Sequence, residues 1–104
     1  MSPDWVDLCA VGDLSEDRGE YVVCKGRALA VFLVGDGSVR VMDDACPHAG
    51  ASLAGGHVHN GCVICPWHGW PFHVDSGRCA DNPDHGVHTY PTRVFEGRVW
   101  IKVK

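Results

Sequence analysis

The stretch ALAVFLVGDGSVRVMD, residues 28–43, carries the pattern of two adjacent β-strands. Its first half, Ala28 to Val34, is an unbroken apolar run that contains β-branched and aromatic side chains. Its second half, Ser38 to Asp43, alternates polar and apolar residues with the period of two that is typical of a strand. Gly35-Asp36-Gly37 between the two halves is a strong turn signal. We therefore predict a β-hairpin here and an all-β fold class for the chain.

The residues before this hairpin continue the β pattern. Tyr21 to Cys24 is another short apolar run rich in β-branched residues, and Trp5 to Val11 predicts an opening strand. No segment of the chain has the ten-residue amphipathic pattern of a helix. Gly12 to Gly19 has room for at most one helical turn.

The C-terminal segment predicts a second hairpin. Tyr90 to Phe95 and Arg98 to Lys104 flank Glu96-Gly97, a dipeptide suited to a tight turn. Because side chains alternate along a strand, Val99, Ile101 and Val103 should share one face of the last strand.

The central part of the chain differs from these β segments in composition. Residues 44–89 hold all seven histidines, four of the six cysteines and four of the six prolines. A long loop-rich insertion in a compact β domain usually serves function or metal binding, because something must offset its chain entropy. The 104 residues suit one domain. We predict a single domain spanning residues 1–104, with a metal-dependent lobe at about 44–89.

Charge and the N-terminus limit the classes of partner and the compartment. Thirteen acidic and nine basic residues leave a formal net charge of −4, which argues against nucleic acid and favours either a basic protein surface or plain solubility. The start MSPDWVD lacks a signal-peptide pattern, and the longest apolar run, seven residues from Ala28, is too short to span a bilayer. We expect a cytoplasmic protein with no membrane partner. There, six cysteines indicate metal ligation or reduced thiols more than disulfides.

Two short segments of the lobe each combine a thiol with an imidazole. Cys46-Pro47-His48 and Cys65-Pro66-Trp67-His68 are separated by sixteen residues. These spacings suit two loops that approach a metal centre from opposite sides. Gly50 and Gly69, which follow the two segments, allow backbone N–H groups to come close to a bound group because glycine has no Cβ.

This pair of segments resembles the signature of the Rieske family, in which two cysteines and two histidines hold a [2Fe–2S] cluster. The resemblance covers most of the chain and includes CPWHGW (65–70), FHVDSG (72–77), YPTRV (90–94) and EGRVWI (96–101). It implies an antiparallel β sandwich or barrel of three small sheets with an inserted cluster-binding subdomain. It also implies one [2Fe–2S] cluster ligated by Cys46, His48, Cys65 and His68, with the cysteines on a buried iron and the histidines on an outer one.

The resemblance implies a soluble one-electron carrier, the ferredoxin component of a multicomponent oxygenase. Its partners would be a flavin- or NADH-dependent reductase and a terminal oxygenase. An alternative is the small Rieske subunit of an assimilatory NAD(P)H-dependent nitrite reductase, because Trp5 to Cys9 and Gly77 to Ile101 resemble that family. In either case we expect a component of an oxidoreductase system rather than an enzyme on its own. A catalytic oxygenase would need a further domain for a mononuclear iron, for which 104 residues leave no room.

A zinc-stabilised interaction module is a further alternative. Cys62 and Cys65 form a Cys-x-x-Cys pair that could bind zinc together with Cys46 and His68. Zinc would leave His48 and the surrounding proline, tryptophan and glycine residues without a role, so the iron–sulfur interpretation is preferred.

Two departures from the respiratory Rieske proteins bear on the reduction potential. Those proteins have an extra cysteine in each ligand loop, where this chain has Ala51 and Trp67. They have serine and tyrosine hydroxyls where this chain has Trp70 and Val74. Without these groups we expect a potential at the low end of the Rieske range, roughly −150 to +300 mV.

The remaining cysteines and histidines are predicted to serve other purposes. Trp67 and Pro47 are candidates for an apolar rim that a partner touches, and Pro83 for a third loop covering the cluster. The other cysteines (Cys9, Cys24, Cys62 and Cys79) are expected to be small structural side chains, and the other histidines (His57, His59, His73, His85 and His88) are not expected to bind metal.

Overall fold

Strands dominate the structure. The computed structural model describes residues 4–16, 18–35, 37–47, 50–67 and 69–103. The strands within these residues are β1 (Trp5–Ala10), β2 (Glu20–Cys24), β3 (Arg27–Leu33), β4 (Val39–Asp43), β5 (His57–His59), β6 (Cys62–Ile64), β7 (Pro71–His73), β8 (Thr89–Tyr90), β9 (Thr92–Phe95) and β10 (Arg98–Lys102). The only helical segments in this part of the chain are two 3-10 turns, Val11–Asp13 and Leu53–Gly55. The predicted all-β fold class is confirmed.

The strands form three antiparallel sheets. One has the order β1-β10-β9, the second β2-β3-β4-β8 and the third β5-β6-β7. The third sheet, within the lobe predicted at 44–89, is continuous with the loops that carry the predicted ligands. The predicted architecture of three small antiparallel sheets is therefore confirmed.

The β2-β3-β4-β8 sheet lies between two separate cores, because its strand β3 is buried on both faces. Leu29 and Val31 point to one side and Ala30 and Phe32 to the other, and all four side chains are buried. A strand buried on both faces has a continuous apolar sequence instead of an alternating one. This accounts for the unbroken run that begins at Ala28.

Each core belongs to one side of that sheet. The sandwich core lies toward the β1-β10-β9 sheet and consists of Cys24, Leu29, Val31, Val39, Val41, Tyr90, Val99 and Ile101. The lobe core lies toward the β5-β6-β7 sheet and consists of Ala30, Phe32, Met42, Cys46, Ala51, Leu53, Ala54, Val63, Cys65, Phe72, Val74 and Cys79. Val99 and Ile101, predicted to share one face of the last strand, are both fully buried, and Val103 lies just beyond the end of β10. The two predicted cysteine ligands belong to the lobe core.

Three hairpins use the same two-residue turn. Lys25-Gly26, Asn60-Gly61 and Glu96-Gly97 each have both φ angles positive, between 51° and 77°. Two successive positive φ angles define the type I′ turn, whose twist matches that of the flanking strands, and glycine adopts the second without strain. The predicted hairpin at Glu96-Gly97 is confirmed. The other two were not predicted, although Asn-Gly is a strong hairpin signal.

The predicted strand from Tyr90 to Phe95 is wrong at one residue. Pro91 divides it into β8, which pairs with β4, and β9, which pairs with β10. Proline has no N–H to donate to a ladder, so it marks the point where the chain passes from one sheet to another. The predicted turn at 35–37 includes Asp36, which lies outside the described residues. Beside it, the Gly37 N–H donates to the Val34 carbonyl oxygen at 2.9 Å.

No helix in the described part of the chain is long and apolar enough to cross a membrane.

Candidate metal centre

The two predicted ligand loops share two backbone features. The Cys46 N–H donates to the carbonyl oxygen of Ala51, five residues on, at 2.8 Å. The Cys65 N–H donates to the carbonyl oxygen of Trp70, again five residues on, at 2.9 Å. Each loop also has a glycine with positive φ four residues after its cysteine: 71° at Gly50 and 70° at Gly69. The chain therefore presents two matching loops, as a centre bound from two sides requires.

Close backbone packing holds the first loop against the strand that leads into the second. Gly56 ends the 3-10 turn after the first loop, and it is buried against Ile64, the residue before Cys65. A Cβ at Gly56 would collide with the carbonyl oxygen of Ile64. Glycine is required here because any side chain would push the two segments apart.

The structure brings Cys46 and Cys65 together in the lobe core. Each is 1% exposed, neither is in a disulfide, and the two thiols are close enough for one to affect the pKa of the other. Burial raises the pKa of the Cys65 thiol and the neighbouring Cys46 thiol raises it further, whereas the Trp67 backbone N–H, which donates to the sulfur, lowers it. Two buried reduced thiols that face each other, one of them with an N–H donor, fit a pair of soft thiolate ligands for an iron–sulfur cluster.

The other two predicted ligands, His48 and His68, lie outside the described residues. Their neighbours Pro47 and Trp67 are exposed, and Trp67 keeps 58% of its surface. The buried thiols and the exposed rim thus lie on the same two loops. The exposure of Pro47 and Trp67 agrees with a rim that meets solvent, and the role of the cysteines as inner ligands stays a prediction.

A third loop packs beside the second ligand loop. The ring of His85 meets that of Trp70 edge to face, with centroids 5.5 Å apart. The Cys79 N–H donates to the His85 carbonyl oxygen at 3.0 Å, and Nη1 of Arg78 reaches the Pro83 carbonyl oxygen at 3.5 Å. The loop that contains Pro83, predicted to cover the cluster, is therefore attached next to Trp70.

The remaining cysteines are placed as structural residues. Cys24, Cys62 and Cys79 are buried and Cys9 is partly buried. Sγ of Cys62 lies 3.5 Å from Nδ1 of His73, its cross-strand neighbour. Burial raises the pKa of the Cys62 thiol, so this cysteine is protonated near neutral pH and lacks the thiolate character of a reactive residue.

The other five histidines are spread over the surface of the lobe. His57, His59, His73, His85 and His88 are all exposed. His59 contacts the Asn60 side chain, and His88 packs edge to face on Tyr90 with centroids 4.6 Å apart. Among the described residues, no three side chains of His, Cys, Asp or Glu form a group that could hold a metal ion.

Sequence reasoning missed one residue at the base of the first loop. Asp44 is 5% exposed and is the one buried charged side chain among the described residues. Its Oδ1 accepts hydrogen bonds from the Ser52 hydroxyl and from the Ala54 N–H, both at 2.9 Å. The available signal was a carboxylate two residues before a predicted ligand cysteine, but its partners become apparent only in the folded loop.

Comparison with known proteins identifies the family. Residues 4–91 match the sequence profile of the Rieske [2Fe-2S] domain. The ferredoxin subunit of anthranilate 1,2-dioxygenase from Burkholderia cepacia is 34% identical over 102 residues, covering 96% of this chain and 93% of that one. Cholesterol 7-desaturase nvd of Hemicentrotus pulcherrimus is 40% identical over 80 residues. Those residues are 76% of this chain but only 17% of the desaturase.

Two solved structures share the whole fold. A Mycobacterium tuberculosis protein assigned as an NADH-dependent nitrite reductase small subunit superposes with a TM-score of 0.87 and 34% identity, over 93% of this chain and 92% of that one. The ferredoxin of Sphingomonas yanoikuyae B1 superposes with a TM-score of 0.85 and 32% identity, over 95% and 98%. The chain belongs to the Rieske [2Fe–2S] domain family, and its cofactor is a [2Fe–2S] cluster.

Proposed function

We propose that this protein is a one-electron carrier that works as the ferredoxin component between a reductase and a terminal oxygenase. The observation that carries the proposal is the pair of matching loops with Cys46 and Cys65 buried between them and Trp67 exposed at the rim. When bound, the cluster supplies one-electron chemistry. The chain supplies the ligands, a buried apolar environment around the two cysteines, and an exposed rim at Pro47 and Trp67.

We also propose the ligand set: Cys46 and Cys65 on the inner iron, and His48 and His68 on the outer one. The mutual approach of the two buried thiols supports the cysteine half of this assignment. The similarity of the two loops supports the histidine half, because each loop has one histidine shortly after its cysteine, two residues after Cys46 and three residues after Cys65. No other histidine is needed to complete a set of four.

The proposed partners follow from the relatives. The Burkholderia cepacia relative is a ferredoxin subunit of a dioxygenase and matches nearly the whole chain. We therefore propose that a flavin- or NADH-dependent reductase reduces the protein and that an oxygenase oxidises it. We place the protein in the cytoplasm, since all six cysteines are unpaired, which is typical of a reducing compartment.

Stoichiometric reduction tests the carrier function. The purified holoprotein should be coloured, take up one electron per chain from dithionite without oxygen, and return it to an added acceptor. NADH should reduce it only when a reductase is added. A colourless protein that contains zinc, or direct reduction by NADH alone, would contradict the proposal.

A second candidate is the small subunit of a nitrite reductase. The observation that favours it is the superposition on the Mycobacterium tuberculosis protein, whose fold matches over 93% of this chain. In that case the protein would be a permanent subunit instead of a diffusing carrier. Stable co-purification with a large sirohaem flavoprotein would support this candidate, and exchange with a reductase and an oxygenase without a stable complex would support the first.

A further inference from the structure

The first ligand loop is closed at its base by a ladder of contacts. The Leu53 N–H donates to the Asp44 carbonyl oxygen at 2.8 Å, and Ala45 pairs with Ser52 as an isolated β-bridge. One step further, the Cys46 N–H donates to the Ala51 carbonyl oxygen. The loop therefore springs from a short two-stranded stem whose first residue is Asp44.

The Asp44 side chain completes this stem from one side. Its Oδ1 accepts from the Ser52 hydroxyl and from the Ala54 N–H, so one carboxylate oxygen ties the start of the loop to its end. The Asp44 N–H donates to the Ala28 carbonyl oxygen at 3.0 Å, which attaches the stem to β3. Both groups that face the carboxylate oxygen are donors, as suits an ionised carboxylate.

Asp44 also brings a negative charge close to the centre. It lies two residues before Cys46, so their Cα atoms are at most about 7 Å apart. With two thiolates and two neutral imidazoles, the bound centre is neutral when oxidised and carries one negative charge when reduced. A nearby buried anion therefore disfavours the reduced form, and little water is present to screen it.

We propose that Asp44 is a positioning residue that closes the first ligand loop and whose buried charge holds the reduction potential low. The inference rests on the proposed ligand role of Cys46. Asp44 makes two contributions, its charge and its hydrogen bonds to the stem, and a different variant removes each. Asp44→Asn removes the charge and nearly preserves the shape, whereas Ser52→Ala keeps the charge and removes one hydrogen bond of the stem.

Protein-film or dye-mediated redox titration measures the first contribution. At an effective dielectric constant of about 20, two unit charges about 10 Å apart change an equilibrium by somewhat more than tenfold. Since hydrogen bonds partly neutralise the carboxylate, Asp44→Asn should favour reduction by about three- to tenfold, or roughly +30 to +60 mV at 59 mV per tenfold. Asp43→Asn is the matched control, since the carboxylate of the partly exposed Asp43 accepts its hydrogen bond from Tyr90 on the neighbouring strand β8 and not from the loop. Its shift should be smaller.

Cluster release to an iron chelator measures the second contribution. Ser52→Ala should release iron at least threefold faster than the wild type, without a rise in potential, and Asp43→Asn should release it at the wild-type rate. An Asp44→Asn protein with unchanged potential would overturn the electrostatic part. An unchanged iron-release rate in Ser52→Ala would overturn the proposed role of Asp44 in closing the loop. This test does not depend on whether the Asp44→Asn variant folds. A Cys46→Ser variant that retains a native cluster would instead refute the ligand assignment, so the two failures are distinguishable.

Discussion

At the scale of single residues, the histidines divide into two groups by their position in the sequence. His73 and His88 lie on the surface, where His73 contacts Cys62 and His88 packs on Tyr90. In the sequence, His48 and His68 closely follow Cys46 and Cys65, the two cysteines that are predicted ligands. Metal binding should therefore depend on the second group alone.

We expect His48→Ala or His68→Ala to lose the cluster, because an alanine cannot replace an iron ligand. His73→Ala and His88→Ala are matched controls from the same lobe and should keep it. Iron content per chain and visible absorption measure the result. Full iron retention in His48→Ala would show that this histidine is not a ligand.

Trp70 is the residue whose replacement should change the potential most simply. Its backbone carbonyl closes the second loop, while its indole is partly buried against the lobe core and His85. A substitution can therefore change the side chain without removing the hydrogen bond of the loop. Serine at this position would put a hydroxyl near the centre, where an indole cannot place its single N–H at the same short reach.

We expect Trp70→Ser to raise the potential. A hydrogen bond to a charged acceptor contributes about 1.5–3 kcal/mol, and about half of it should distinguish the reduced from the oxidised state. With about 1.4 kcal/mol and 59 mV per tenfold change, the shift should be roughly +30 to +65 mV. Redox titration measures it. Trp70→Ala is the control, because it admits water without adding a hydroxyl. An equal rise in both variants would refute the role of the hydrogen bond.

At the scale of elements, Tyr90 on β8 links β3 and β4 of its own sheet, just before Pro91 divides the strands. Its hydroxyl donates to the Asp43 carboxylate at 2.6 Å and accepts from Nη1 of Arg27 at 3.2 Å. Burial raises the pKa of Tyr90 above its ordinary value, and the hydrogen bond to Asp43 raises it further. The folded state thus holds the phenolic proton more tightly than the unfolded chain does.

Tyr90→Phe should lower the free energy of unfolding by about 1–2 kcal/mol at neutral pH, since it removes the bond to Asp43. Because the folded-state pKa is raised, this stabilisation is complete below the unfolded-state pKa of about 10. It should be lost as the pH rises through the folded-state pKa, so the wild type and variant should converge in alkaline solution. Urea denaturation measures both effects. Tyr21→Phe is the control, because the Tyr21 ring is 56% exposed, and it should change neither.

The type I′ turns give a second prediction at this scale. Glu96 has a φ of 52°, a left-handed conformation that costs an ordinary L-residue about 1–2 kcal/mol and that asparagine tolerates better. Glu96→Asn should therefore stabilise the fold by about 0.5–1 kcal/mol, a part of that cost. Glu16→Asn removes the same charge from an exposed residue without positive φ and should have little effect. Equal stabilisation by both variants would assign the gain to charge.

The elements also show what the sequence could and could not predict. Strands with a clear apolar pattern, such as Ala28 to Val34, were found because burial on two faces leaves a continuous apolar run. The division at Pro91 was missed because the sequence shows only that a proline interrupts the strand. The sheet that each half joins depends on pairing partners that are distant in the sequence. The short strands β5 and β7 were missed because three residues carry too little pattern.

The site, too, was predictable where local sequence determines it and not where folding brings distant residues together. Cysteines and histidines at fixed spacing are visible in the sequence because the ligand chemistry restricts the residue type. The approach of Cys46 to Cys65 and the contacts of Asp44 with Ser52 and Ala54 are products of folding. They could not be predicted from local spacing.

At the scale of the whole molecule, one sheet separates two cores with different tasks. The sandwich core joins the β2-β3-β4-β8 sheet to the β1-β10-β9 sheet, and neither predicted cysteine ligand belongs to it. The lobe core contains both cysteines and the segments that carry them. The sandwich core thus packs two sheets together, and the predicted metal centre belongs to the lobe on the other side of the shared sheet.

One measurement tests most directly the central claim that two cysteines and two histidines hold the cluster. The electron paramagnetic resonance spectrum of the dithionite-reduced protein reports the ligands of the iron that gains the electron. We predict a spectrum with the low average g value of mixed histidine and cysteine ligation. A spectrum of the four-cysteine ferredoxin type would contradict the assignment of His48 and His68.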